Sequence, residues 1–175
     1  MFSHLALASL ILLLPLAAII SYNDVRYRRI PNVYVLITLV SGLVMNTAFG
    51  GLRGLLLSVA GCGLAFILML VLHVFGAMGA GDVKLFAAIG AVIGAPLVLP
   101  TFAIILTTGF VLAIYSMVRA GLVRTTLSNV LLFFASRFFG WRAPSFAAPA
   151  GKRHTIPYGV AITFGSLLSL CIFRA

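Results

Sequence analysis

The sequence predicts an all-α, polytopic membrane helix bundle, with six transmembrane helices and one interfacial amphipathic helix in a single integral membrane domain over residues 1–175. Two observations support this prediction. The chain is 63% hydrophobic and only 8% charged, whereas a soluble domain of this length carries about 40 charged side chains. Its apolar residues are also gathered into runs of spanning or nearly spanning length. A soluble domain, a disordered chain and a nucleic-acid-binding protein are therefore disfavoured.

Six apolar runs define the predicted helices. They are Phe2–Tyr22, Val33–Phe49, Leu55–Phe75, Leu85–Leu99, Phe102–Val118 and Ile156–Phe173. The first has no Lys or Arg before it, so we expect a retained span rather than a cleaved signal peptide. The fourth contains Gly90, Gly94 and Pro96 and runs almost directly into the fifth. The combined stretch is nevertheless too long for one crossing, and it predicts a tight pair of helices.

The basic residues predict the orientation, because Lys and Arg are enriched in cytoplasmic loops. With the N-terminus outside, only Arg53 and Arg174 lie on the outer side. All the others then lie on the inner side: Arg26, Arg28, Arg29, Lys84, Arg119, Arg124, Arg137, Arg142, Lys152 and Arg153. Both termini should therefore face away from the cytoplasm, and the basic inner face would attract anionic lipid headgroups.

The segment Thr125–Trp141 predicts the interfacial helix. Its apolar residues Leu127, Val130, Leu131, Phe134, Phe138 and Trp141 recur at helical spacing. The uninterrupted apolar stretch is too short to span a bilayer, so a helix lying on the inner leaflet is favoured. The stretch Ala143–Gly151, rich in Pro and Ala, is the predicted return loop to the last span.

The chain has only two acidic residues, Asp24 and Asp82, against 12 Lys and Arg. In the predicted topology, both lie at the cytoplasmic membrane boundary. Ionisable groups at membrane depth are candidates for function. Ordinary interfacial ion pairs are the alternative, because Asp24 is close to Arg26 and Asp82 is close to Lys84.

Three short motifs favour a joint role for the two aspartates. Asp24 is followed by a basic stretch and Ile30-Pro31-Asn32. Asp82 follows Gly79-Ala80-Gly81 at a predicted helix start. Glycines allow close approach of the backbone and positive φ. The dipole at the start of a helix stabilises a carboxylate. The third motif is Ile156-Pro157-Tyr158-Gly159.

In this order, the motifs resemble those of the type IV prepilin peptidase family, the GxGD intramembrane aspartyl proteases. The resemblance implies that Asp24 and Asp82 are catalytic, that Gly79 and Gly81 are the glycines of GxGD, and that no cofactor is needed. It implies removal of the leader from prepilins at the inner face of the bacterial cytoplasmic membrane. The chain lacks the paired cysteines of larger, methylating members, so it is similar to the short form that accompanies tight-adherence (Flp/Tad) pilus systems, with a small Flp-type prepilin as substrate.

The remaining site predictions concern residues beside the aspartates. Gly-rich backbone next to Asp82 could bind an extended substrate strand, and the site-shaping candidates are Gly79, Gly81, Lys84, Pro157, Tyr158 and Gly159. For Tyr158 and Gly159, an interfacial aromatic and a helix-packing glycine are equally consistent with the sequence. Ser21, Asn23 and Asn32 are candidates for contacts to Asp24.

A catalytic pair needs one neutral and one ionised carboxyl. The helix N-terminus and Lys84 favour ionisation of Asp82, whereas Asp24 follows a predicted helix C-terminus. Arg26, Arg28 and Arg29 oppose that ranking.

The sequence leaves three alternatives to a peptidase. A metal site using His73 and His154 lacks a recognisable ligand pattern. A small proton-coupled transporter usually places its acids near the bilayer midplane, between repeats. A non-catalytic scaffold of a pilus or secretion complex would tolerate Asp24→Asn and Asp82→Asn singly. The sequence predicts no nucleic-acid partner and gives no oligomeric state.

Overall fold

The computed structural model describes residues 4–75, 78–119, 121 and 158–173, with the side chains of 4–6 excluded. This part of the chain is all helical and has no strand. The five helices are α1 (His4–Tyr27), α2 (Asn32–Val74), α3 (Ala80–Ile93), α4 (Ala95–Arg119) and α5 (Tyr158–Phe173). The predicted all-α class is therefore confirmed for the described residues. The amphipathic helix predicted over Thr125–Trp141 lies outside them.

Helix α2 doubles back at Gly51, whose φ of 57° and ψ of −143° interrupt the helical backbone. Asn46 and Ser58, on either side of Gly51, both donate hydrogen bonds to the carbonyl oxygen of Ala91. In a straight helix they would be about 18 Å apart along the axis. The two limbs, 32–50 and 52–74, therefore form a hairpin. They correspond to the predicted second and third spans.

Helix α3 packs against both limbs of this hairpin and is buried from Leu85 to its end. Small residues permit the contact. A Cβ at Gly42 would lie 2.8 Å from the backbone nitrogen of Val92, and a Cβ at Gly90 would lie 2.7 Å from the Cβ of Ala65. Close packing through small residues is typical of helices in membranes, where apolar side chains gain little by leaving lipid.

The boundary between the predicted fourth and fifth spans was wrong. Helix α3 ends at Ile93, Gly94 takes a positive φ of 76°, and α4 starts at Ala95. The positive φ is the backbone conformation that glycine adopts most readily. The apolar pattern continues through this turn, which is why hydropathy placed the boundary near Pro100. With 14 residues, α3 is about 21 Å long, shorter than the hydrocarbon core.

Helix α1 extends beyond its predicted end at Tyr22 and stops at Tyr27, where Arg28 takes a left-handed φ of 52°. The loop to α2 is therefore only residues 28–31. One face of α1 packs against α5, and the hydroxyls of Ser21 and Thr163 meet there at 2.8 Å. This pairing brings the last turn of α1 to the first turn of α5.

Among the described residues, three helices are long and apolar enough to cross a membrane: Leu7–Tyr27, Asn32–Val74 and Ala95–Arg119. Helix α5 is apolar but shorter. Six crossings therefore stay a prediction. Contacts divide the chain into one unit of residues 1–109 with 157–175 and another of residues 110–156. Both aspartates, α3 and α5 belong to the first unit. The prediction of a single domain stays open.

Candidate active site

Asp24 lies in the last turn of α1, and only 8% of its surface is exposed. Its Oδ2 accepts a 2.7 Å hydrogen bond from the backbone N–H of Gly159, and the N–H of Val160 also donates to the carboxyl. These amides belong to the first turn of α5, where backbone N–H groups have no partner within the helix. Asp24 therefore occupies the positive end of α5, where these amides offset part of the cost of burying its carboxyl.

Gly159 leaves the space that this contact needs. A Cβ at position 159 would lie 2.7 Å from Oδ2 of Asp24 and 2.9 Å from its Cγ. No side chain larger than hydrogen fits without displacing the carboxylate. Gly159 therefore provides both a close contact between α5 and α1 and a hydrogen bond to Asp24.

Asp82 is the third residue of α3, at the helix start that the sequence predicted, and is partly buried. Its Oδ2 accepts a 3.1 Å hydrogen bond from the N–H of Gly79. The pKa of the Asp82 carboxyl is raised from 3.8 to about 6, first by burial, which the Gly79 N–H opposes, and then by the negative charge of Asp24. A carboxyl with this pKa can hold a proton near neutral pH.

Two further contacts bring the elements of both aspartates together. A Cβ at Gly81 would lie 3.7 Å from the Cβ of Ile30, so the start of α3 lies beside the loop that follows α1. Tyr158, the first residue of α5, interacts electrostatically with Asp82. Its ring also lies beside Gly109 of α4. The first two residues of α5 thus interact with different aspartates. Tyr158 interacts electrostatically with Asp82, and Gly159 donates a hydrogen bond to Asp24.

Burial opposes ionisation of both carboxyls, and the helix start and Lys84 do not keep Asp82 ionised as the sequence predicted. Asp24 accepts two backbone N–H bonds from α5 and is attracted by the charge of Arg28. Asp82 accepts one bond, from Gly79, and its pKa is raised to about 6. The sequence could not predict the contacts of Asp24, because the amides that bind its carboxyl come from a helix 135 positions away.

Comparison with known protein families matches residues 11–117 to the type IV leader peptidase family. The match spans more than half of the chain and includes both aspartates and the glycines of Gly79-Ala80-Gly81. The chain belongs to the type IV leader peptidase family. It is therefore a protease-family protein, and its long apolar helices identify it as an integral membrane protein. No curated protein and no solved structure matches it.

For this family member, the other predicted site residues are placed as follows. Gly79 is exposed with φ of −78°, and Gly81 is not among the described positive-φ glycines, so the expectation of positive φ beside Asp82 was wrong. Lys84 is exposed and lines a groove of 380 Å³ together with Asn32 and Cys62. Pro157 lies outside the described residues.

Two hydrogen bonds that the sequence did not predict connect α1 and α5 next to Asp24. The hydroxyl of Thr163 donates to the carbonyl of Gly159 at 2.8 Å, so the hydroxyl of Ser21 is the donor in its bond to Thr163. These two hydrogen bonds connect α1 to Gly159, the same residue whose N–H binds Asp24. Asn23 bonds the carbonyl of Ile19 in its own helix. The signal for Ser21 was its sequence proximity to Asp24, whereas nothing in the sequence pointed to Thr163.

Among the residues that the structure describes, no group of three or more His, Cys, Asp and Glu side chains is placed to hold a metal ion. His73 bonds the carbonyl of Met78 instead, and His154 lies outside the described residues. The arrangement that remains is a pair of interacting carboxyls in different surroundings, which suits general acid–base catalysis.

Proposed function

We propose that this protein is a prepilin leader peptidase that uses Asp24 and Asp82 as a catalytic dyad. The single observation that carries the proposal is that two buried or partly buried carboxyls interact electrostatically while each accepts hydrogen bonds from a different helix start. Asp24 accepts its backbone N–H bonds at the N-terminus of α5. Asp82 has a pKa of about 6, raised in part by the charge of Asp24. Pairs of carboxyls whose environments separate their protonation states divide the roles of base and acid.

In the proposed reaction, ionised Asp24 takes a proton from water while the water oxygen attacks the scissile carbonyl carbon. Neutral Asp82 gives its proton to the carbonyl oxygen, which forms a tetrahedral diol. The diol then collapses: the C–N bond breaks, Asp24 returns its proton to the leaving nitrogen, and the diol hydroxyl returns a proton to Asp82. The pair ends in its starting protonation state, and no cofactor enters the balance.

The substrate we propose is a small Flp-type prepilin at the cytoplasmic face of the bacterial inner membrane. The family match supports a prepilin leader in general, and the leader bond lies where the pilin's hydrophobic segment enters the lipid. The short form is supported by the loop between α1 and α2, because residues 28–31 leave no room for a cysteine-containing insertion. Peptide hydrolysis without N-methyl transfer is the activity we propose.

Gly79 supports a site for an extended substrate through free space, because it is exposed, lies one turn from Asp82 and has no side chain, whereas its own N–H and carbonyl are already hydrogen-bonded. Arg28 and Lys84 lie at this end of the helices. Their positive charge supports a cytoplasmic location with anionic lipid headgroups nearby. Six crossings, with both termini outside, remain part of this proposal.

Co-expression with a Flp-type prepilin, followed by a mobility shift for leader removal, tests the dyad. We expect Asp24→Asn and Asp82→Asn each to reduce processing by roughly 10²–10⁴-fold, the usual contribution of an acid or base. Asparagine keeps an oxygen that can accept the N–H of Gly159 or Gly79, so loss of fold is not expected. Arg53→Gln, a charge change at the other end of α3, is the matched control. Processing that survives both single substitutions would favour the scaffold.

A further inference from the structure

We infer that His73 is a positioning residue for Asp82, acting through the peptide group that joins Met78 to Gly79. This inference rests on the proposed function only for its catalytic consequence. The hydrogen-bonded chain itself is a property of the fold and can be measured in the absence of a substrate.

The first link is a side-chain bond at the end of α2. His73 is the residue before the last in that helix, and its ring is partly buried. Its Nδ1 lies 2.8 Å from the carbonyl oxygen of Met78. A carbonyl oxygen only accepts hydrogen bonds, so Nδ1 must carry the hydrogen. The neutral ring protonated at Nδ1 and the positively charged ring can both donate this bond.

The second link uses the other side of the same peptide group. The carbonyl of Met78 and the N–H of Gly79 belong to one planar unit. That N–H donates to Oδ2 of Asp82 at 3.1 Å. The ring of His73, the 78–79 peptide and the carboxyl of Asp82 therefore form one continuous chain of hydrogen bonds. Because the unit is planar, fixing the direction of its oxygen also fixes the direction of its N–H.

A third set of bonds connects this peptide to the start of α3. The carbonyl of Gly79 accepts from the N–H groups of Asp82 at 3.1 Å and Val83 at 3.4 Å. These bonds hold Gly79 from its carbonyl side and do not act on the preceding peptide. His73 bonds the carbonyl of that peptide, on the side opposite to the N–H that Asp82 accepts. Without that bond, the peptide can rotate and withdraw its N–H from Asp82.

Loss of that N–H changes how readily Asp82 gives up its proton. The Gly79 bond lowers the pKa of the Asp82 carboxyl, against burial and the charge of Asp24, which raise it. Tyr158 also interacts electrostatically with Asp82. A rotated 78–79 peptide should therefore make Asp82 titrate at a higher pH. The contacts of Asp24 and Tyr158 should stay as they are, because neither residue bonds this peptide in the described part of the structure.

Four variants separate the hydrogen bond from the packing of the ring. His73→Asn keeps a donor nitrogen bonded to Cγ, the position of Nδ1. His73→Gln moves the nitrogen one atom further out, and His73→Phe keeps the ring without a donor. His73→Ala removes both. Since the chain contains only two acidic residues, selective ¹³C labelling of aspartate carboxyls gives two signals, whose titration in micelles reports Asp82 without any substrate.

We expect His73→Phe to raise the pH at which Asp82 titrates and to reduce leader cleavage about fivefold, mainly in kcat, the effect of one neutral hydrogen bond. His73→Asn should restore both values. Equal titration in His73→Phe and wild type, or failure of His73→Asn to differ from His73→Phe, would overturn the inference. If His73→Phe does not fold, the comparison of His73→Gln with His73→Asn decides it. A wild type that titrates as expected but cleaves no prepilin would contradict the proposed function alone.

Discussion

At the level of single residues, Asp82 is the group whose protonation should set the pH range of activity. Its pKa of about 6 lies above its ordinary 3.8, chiefly through burial. A neutral Asp82 is the proposed proton donor, so cleavage should fall as the pH rises above about 6 and the pair loses its shared proton. Asp24→Asn removes a negative charge beside Asp82. We therefore expect Asp82 to titrate at a lower pH in that variant, but still above 3.8, because burial remains.

The measurement is the titration of the two ¹³C-labelled aspartate carboxyls in wild type and in each Asp→Asn variant. Each single variant also assigns the remaining signal. An Asp82 signal that titrates at the same pH with and without the charge of Asp24 would show that the two carboxyls do not interact. The proposed sharing of a proton would then fail.

Gly159 and Gly81 form a second comparison between residues, because both lie close to the aspartates but differ in free space. A methyl group at 159 meets Oδ2 of Asp24 at 2.7 Å, whereas one at 81 meets only Ile30 at 3.7 Å, an ordinary contact. We expect Gly159→Ala to reduce leader cleavage by at least about 10²-fold, since an acid or base moved from its place loses its contribution. Gly81→Ala should fold normally and keep the titration of both carboxyls.

Cleavage assays and carboxyl titrations of these two variants check the prediction. A Gly159→Ala protein with full activity would mean that the carboxylate of Asp24 need not lie against the first turn of α5. A Gly81→Ala protein that titrates normally but cleaves poorly would place the substrate strand against that glycine.

The sequence predicted the two aspartates, but it could not predict what surrounds each of them. Asp82 was placed correctly at a helix start, because a Gly-x-Gly-Asp pattern before an apolar run is a local signal. The partners of Asp24 are backbone amides, which carry no sequence signature of their own. Lys84 was grouped with the site from its sequence distance to Asp82, yet two residues along a helix face different directions, and it lines a groove with Asn32.

At the level of elements, the C-terminus of α3 is satisfied by side chains from both limbs of α2. The amide of Asn46 lies 2.8 Å from the carbonyl of Ala91 and 3.0 Å from that of Val92, and Ser58 donates to Ala91 at 2.6 Å. The last carbonyls of a helix have no partner within it. Burial of such groups without donors is unfavourable, especially where no water is available.

We expect Asn46→Leu to lower the free energy of unfolding by about 1–2 kcal/mol, because the carbonyl of Val92 loses a donor in an apolar interior. Ser58→Ala should have a smaller effect, since Asn46 still bonds Ala91. Thr47→Ala is the control: its side chain is exposed and bonds Leu43 within its own limb. Unfolding of the three variants in mixed micelles gives the ranking. Equal stabilities for Asn46→Leu and Thr47→Ala would contradict a role for Asn46 in holding α3.

Hydropathy predicted that these elements are helices but placed several of their ends wrongly. The break at Gly51 lies between the predicted second and third spans, where Arg53 interrupts the apolar pattern. Apolar residues continue through the turn at Gly94, where a φ of 76° breaks the backbone. A hydropathy pattern records burial in protein or lipid, and it does not change at a turn that is itself apolar. Gly94 was visible in the sequence, but many glycines continue a helix, so its presence alone could not mark the break.

At the level of the whole molecule, the first unit of the chain separates its charges along α3. Asp82 lies at the start of this 14-residue helix. Arg53 lies near the other end of α3, where it lines a pocket of 520 Å³ with Gly94 and Pro96. The two ends are about 21 Å apart. The acids and Arg53 therefore lie at opposite ends of α3, and their placement at opposite membrane boundaries stays a prediction from the charge distribution.

Cysteine labelling in intact cells tests that orientation. With Cys62 and Cys171 replaced by Ser, we expect an impermeant maleimide to label Gly50→Cys but not Arg29→Cys until the membrane is opened. Position 50 lies at the hairpin turn, where an added Cβ meets nothing within 4 Å. Position 29 is exposed in the loop after Asp24. The reverse pattern would put both aspartates on the outer side, where the proposed cytoplasmic cleavage of a prepilin leader is impossible. Labelling of both positions from outside would equally exclude it, since α2 would then not separate the two faces of the membrane.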